Sequence, residues 1–159
     1  MRTLPKKSLH AALAGWATVA LAGVGLLTNT SAQAFSAKAV RYLNVTDEAH
    51  LRVIHSAGEL LEEEGPATGA LPGTVRVRFH IGASVSGSFT IYPRGGGSIS
   101  GQGSARLHST GAYASFGGSI LVNHGTDRYA HAHGRGGFYG TVNRHNDALV
   151  VQTTGRLSY

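Results

Sequence analysis

The chain has no cysteine among its 159 residues. That excludes disulfide staples, zinc–thiolate sites and thiol catalysis, and it leaves a small domain to be held by its core alone. From Gly65 onward there is no lysine either, so the glycine clusters Gly95-Gly96-Gly97 and Gly134-Arg135-Gly136-Gly137 are not phosphate loops: no lysine follows them and no strand-to-helix switch surrounds them. They read as turns. No G-x-S-x-G elbow is present, and Gly97-Ser98-Ile99-Ser100-Gly101 has isoleucine where a nucleophile would sit. No RNA-recognition signature of alternating basic and aromatic residues occurs, so nucleic acid is not an expected partner. Past the first thirty-odd residues, no amphipathic helix of useful length appears.

What is present begins with an export pattern. Arg2, Lys6 and Lys7 give a positive start, Leu9–Leu27 is almost wholly apolar, and the stretch ends in small residues with Ala32-Gln33-Ala34. These are the three parts of a cleavable secretory signal over residues 1–34, and without a twin arginine or a lipobox cysteine the general secretion route is implied. The expected destination is outside the cell or in the envelope, with no membrane attachment after cleavage; a retained anchor is the alternative, since the apolar stretch is about long enough to span a bilayer. The remaining chain carries eleven Lys+Arg against eight Asp+Glu, a net charge of +3. Six of those acids lie within Phe35–Glu64, which leaves the later part modestly basic.

Residues 35–48 have no clear period and read as an irregular lead-in to one domain over 49–159. Thr74–Ile81 alternates strictly, with Val75, Val77, Phe79 and Ile81 on one face and Arg76, Arg78 and His80 on the other, which is a half-buried strand. Further strands are expected at His50–His55, Val85–Tyr92, Gly97–Leu107, Ala114–Asn123, Arg128–His133, Gly137–Val142 and Ala148–Leu157. Residues 59–73, an acidic run mixed with glycine and proline, read as a solvated loop. Eight strands about ten residues apart predict an all-β fold, a small antiparallel eight-stranded barrel. Gly87, Gly101, Gly103, Gly117, Gly118 and Gly140, inside strands, fit a sheet that bends hard and brings backbones close together.

The segment Gly125-Thr126-Asp127-Arg128-Tyr129-Ala130-His131-Ala132-His133-Gly134-Arg135-Gly136-Gly137-Phe138-Tyr139-Gly140 resembles a glycine–aromatic motif of the allene oxide cyclase-like and dirigent-like barrels. Gly97–Gly103 is similar to the strand that precedes it there, and Ala148–Tyr159 to the closing strand. The chain is most similar to the bacterial exported members. The resemblance implies a barrel of eight antiparallel strands with an internal cavity, often oligomeric, whose relatives act on hydrophobic oxylipins or hold phenolic radicals during coupling. Asp127 stands where the middle glycine of the motif falls, and no cavity glutamate of the cyclase pattern is identified, so the resemblance carries the fold and not the chemistry.

Two sets of side chains are candidates for a site. His131 and His133 lie two apart and would share a face on a strand, with His124 or Asp127 as a third metal ligand from the adjoining turn; the competing reading makes them polar residues of an outer face, opposite Ala130, Ala132 and Gly134. Arg78, Tyr92, Tyr129 and Tyr139 are candidate polar handles for a small ligand among apolar walls, or else they face solvent. No cofactor is implied. The favoured expectation is an exported, non-catalytic barrel that binds a small apolar or phenolic ligand, self-associates, or does both. A cyclase or dirigent-type enzyme, shaping a reactive intermediate in the barrel, and an envelope or matrix structural protein are the alternatives.

Overall fold

A computed structural model describes residues 39–81, 84–109 and 111–159. The export signal expected over residues 1–34 lies outside the described residues. The rest is all-β: β1 (Tyr42–Ala57), β2 (Leu60–Gly69), β3 (Gly73–Ile81), β4 (Val85–Pro93), β5 (Ile99–Leu107), β6 (Tyr113–Gly125), β7 (His133–Asn143) and β8 (Ala148–Ser158). Each strand pairs antiparallel with the next, and β8 returns to β1, closing the barrel.

Closure makes the two faces of every strand unequal. In β3 the side chains of Val75, Val77, Phe79 and Ile81 line the interior, while Arg76 and Arg78 on the outside pair with Glu64 and Glu62 of β2. The same alternation runs through β1 (Val45, Asp47, Ala49, Leu51) and β8 (Leu149, Val151, Thr153, Leu157). Where large rings point inward, glycines make room. A Cβ on Gly101 would meet the Phe89 ring, and one on Gly140 would run into the ring of Phe116, which meets Phe138 edge-on at 6.0 Å between centroids.

Three segments differ from the sequence expectation. First, residues 42–48 belong to β1 and are not an irregular lead-in. Second, most of residues 59–73 form β2 rather than a loop. Gly58, at φ +60°, opens a two-residue turn that starts β2, and Pro66 falls where the β1–β2 register has a gap at His50 and Leu51 while it still pairs with Thr74 of β3. Third, Arg128–His133 is not a strand. Asp127, at φ +54°, starts a 3₁₀ turn over Asp127–Tyr129, continued by Ala130 N–H donating to the Asp127 carbonyl and Ala132 N–H to that of Tyr129. The strand count of eight survives because one segment was gained and one lost.

The 3₁₀ turn stoppers one end of the barrel. Tyr129 is 2 % exposed and packs with Leu71, Ile99, Val122, Ala132 and Leu157, with its ring 4.9 Å from that of Tyr159. Arg128 covers it, stacking 4.8 Å above the ring and donating to the Tyr129 hydroxyl at 2.7 Å. A second group, Ala49, Leu51, Ala67, Val75 and Leu149, forms the waist.

The close approach of β5 and β6 gives a test. A Cβ on Gly118 would strike the carbonyl oxygen of Ser104 and lie 2.7 Å from the Ala105 Cα, whereas one on Gly111 meets nothing. Gly118→Ala is expected to lose roughly 2 kcal/mol in urea denaturation, and Gly111→Ala to stay within about 0.5 kcal/mol of the parent. Equal midpoints for the two variants would contradict the described contact.

Candidate functional site

The acidic run Glu62-Glu63-Glu64 lies on a strand, so its members cannot all face the same way. Glu62 and Glu64 point outward and meet Arg78 and Arg76 at 2.6 Å each. Glu63, between them, points inward with Leu61 and Ala67. It is 1 % exposed, the only charged side chain buried among the described residues.

The space it faces is a cavity of about 600 Å³ running along the barrel axis. Its walls are almost entirely apolar: Leu51, Val75, Val77, Phe79, Phe89, Ile91, Ile120, Phe138, Val142 and Val151 among others. The stoppered end is closed by buried side chains. At the other end the lining is exposed: Ile81 and Leu107 are 44 % accessible each, and Arg144 and Asp147 of the β7–β8 turn reach the same cavity from exposed positions. This is the mouth. The turn there is fixed by its own side chains, Asn143 Oδ1 accepting from the His145 N–H and Asn146 Oδ1 from the Ala148 N–H, with Asp147 held at φ +52°.

Among the described residues, nothing donates a hydrogen bond to Glu63 Oε2, and no cation forms an ion pair with the carboxyl. Its register neighbours are Val53 on β1 and Val77 on β3. Burial in this apolar setting, and secondarily the negative charge of Asp147, push the Glu63 carboxyl up from its ordinary 4.5 to about 7. By contrast Asp47, the acid that β1 adds to the lining, is engaged: its Oδ1 accepts the Leu71 N–H at 2.9 Å and helps seat the β2–β3 connection.

None of the four expected ligand handles lines the cavity. Arg78 is on the outer face, bound to Glu62. Tyr92 and Tyr139 face outward at 46 % and 51 % exposure, because residues that alternate with Ile91 and Phe138 must point away from the interior. Tyr129 is buried, but as the stopper described above. The three histidines do not form a ligand set. His131 sits in the turn and His133 is the first residue of β7, so they do not share a strand face, and His124 is exposed near the end of β6. Among the described residues no three His, Asp or Glu side chains are grouped as metal ligands.

No family model, curated protein or solved structure matches the chain. The site is therefore defined by its own geometry: an eight-stranded β-barrel enclosing an apolar cavity open at one end, with the buried Glu63 carboxyl in its wall and no partner for its Oε2 among the described residues.

That carboxyl makes stability depend on pH. An acid whose folded-state pKa is raised binds more protons in the native state than in the unfolded chain, so stability is greatest below 4.5 and falls as pH rises through about 7. At about 1.4 kcal/mol per unit, the loss is on the order of 3 kcal/mol. Glu63→Gln removes it. The difference in unfolding free energy between variant and parent should grow in favour of the variant from pH 5 to pH 8, and a difference independent of pH would show that the carboxyl is not buried as described. Comparing the two proteins cancels the histidines, which titrate in both.

Proposed function

We propose that the protein is an exported binding barrel that holds one small apolar or phenolic molecule in its cavity, with Glu63 as the polar contact. The observation that carries this is the cavity itself. A volume of about 600 Å³ is within the range of small-molecule sites, and an eight-stranded barrel has room for one such ligand at most. Apolar walls supply affinity, and one buried polar group supplies orientation. The apolar rim formed by Ile81 and Leu107 suits entry of a molecule of the same character. The resemblance to the cyclase-like and dirigent-like barrels supports the same reading, and the leader sequence supports export.

A carboxyl pushed up to about 7 also suits proton transfer in an apolar pocket. That observation favours a second reading, a cyclase or dirigent-type enzyme in which Glu63 moves a proton while the walls shape the intermediate. Turnover of oxylipin or phenoxy-radical substrates that is abolished by Glu63→Gln would establish it.

The binding reading is tested by filling the space. Gly103 lines the cavity, and a Cβ there meets only Ile120 Cγ2 at 3.3 Å, the Ser119 carbonyl at 3.5 Å and Phe138 Cε1 at 3.6 Å. Gly103→Leu should thus fold and occupy part of the lumen. The neutral fluorophore N-phenyl-1-naphthylamine is expected to bind the parent protein saturably, one per chain, and to bind Gly103→Leu at least tenfold more weakly with unchanged far-ultraviolet circular dichroism. Absence of saturable binding to the parent, or equal binding to both, would reject the cavity as a ligand site. Export has its own measurement: protein recovered from outside the producing cell should have a mass corresponding to a chain that starts at Phe35.

A further inference from the structure

We infer that the cavity selects apolar molecules that carry one protonated amine, which enter through the mouth amine first and form an ion pair with Glu63. The inference rests on the binding reading above and adds the chemical class of the ligand.

Three observations carry it. Glu63 is 1 % exposed and its Oε2 has no partner, so a ligand that donates there recovers a hydrogen bond the protein itself leaves unmade. A cationic donor gains more than a neutral one, because a bond between charged partners in a low-dielectric pocket is roughly twice as strong as one between neutral groups. The other charged groups on the lining are exposed or already hydrogen-bonded. At the mouth Arg144 and Asp147 are exposed and opposite in sign, so together they favour neither an anion nor a cation. Asp47, deeper in the lining, already accepts the Leu71 N–H. Arg135 and Arg156, adjacent in the β7–β8 register, border the cavity near its stoppered end, but they are exposed and lie on strand positions that alternate with the inward ones, so their charges sit in solvent. The one fully buried charge on the lining among the described residues, and one whose Oε2 has no partner, is thus the Glu63 carboxylate. An anionic head group would have to sit beside it and is disfavoured.

Matched ligands test this. 4-Phenylbutylamine, 4-phenylbutan-1-ol and 4-phenylbutanoic acid share one apolar skeleton and differ in head group. Each would be titrated against N-phenyl-1-naphthylamine bound to the full mature chain at pH 8. The amine is expected to displace the probe at a concentration at least tenfold below the alcohol, and the acid to be the weakest. Glu63→Gln should abolish the amine's advantage while leaving the alcohol within about twofold. Lowering the pH to 5 should weaken the amine and not the alcohol, since the carboxyl must then give up a proton to form the pair. An alcohol or acid that matches the amine on the parent protein overturns the inference, as does an amine affinity unchanged by Glu63→Gln. Failure of the neutral probe to bind at all is a different result and rejects the binding reading instead.

Discussion

The pairing of β1 with β8, running in one register from Tyr42 opposite Ser158 to Arg52 opposite Ala148, turns a sheet into a tube, and the other features of the molecule depend on it. An open sheet of these strands would expose two rows of unpaired backbone groups and would leave the Val75–Ile81 face without a counterpart. Once closed, each inward side chain faces others across the axis. There is then a strict division between a lumen that must be apolar and an exterior that can be polar. The cost of curvature is met by glycines whose missing side chains let neighbouring strands or rings come close, as at Gly118 against Ser104 and Gly140 against Phe116.

The same division explains why one glutamate matters and its neighbours do not. Glu62 and Glu64 are ordinary surface acids satisfied by arginines across the β2–β3 ladder, pairs of a kind worth little to stability. Glu63 has the same chemistry but the opposite orientation, and so it sits among valines and phenylalanines with no counter-charge. Such a group is a liability to the fold, and a liability of this kind is usually retained for what it does to a ligand or substrate.

Much of the architecture is legible in the sequence. The period of two in Thr74–Ile81 and Ala148–Leu157, and the glycines within strands, correctly indicate an antiparallel closed barrel of eight strands. The two misplaced segments have a common cause. Turn residues punctuate β2 at Gly65, Pro66 and Gly69 and conceal a strand, while alternating polar and small residues in Arg128–His133 imitate one. The site was hidden by the first of these. With residues 59–73 taken as a loop, the glutamates have no inside or outside, and the candidates become Arg78, Tyr92 and Tyr139, which face away from the cavity, and Tyr129, which is buried as the stopper. A signal was nevertheless there. Arg76 and Arg78, alternating with inward valines, call for outward acids on an adjoining strand; Glu64 and Glu62 supply them at matching spacing, which leaves Glu63 no direction but inward.

The triple-glutamate run also fixes how β2 can be threaded. Because side chains alternate, sliding this strand by a single position would drive two carboxylates into the lumen in place of one, turn Leu61 from the lumen to the outside, and strip Arg76 and Arg78 of their partners. The acidic tripeptide therefore works as an alignment key. Its outer two members favour one register, and in that register β2 turns a single carboxyl, that of Glu63, toward the interior.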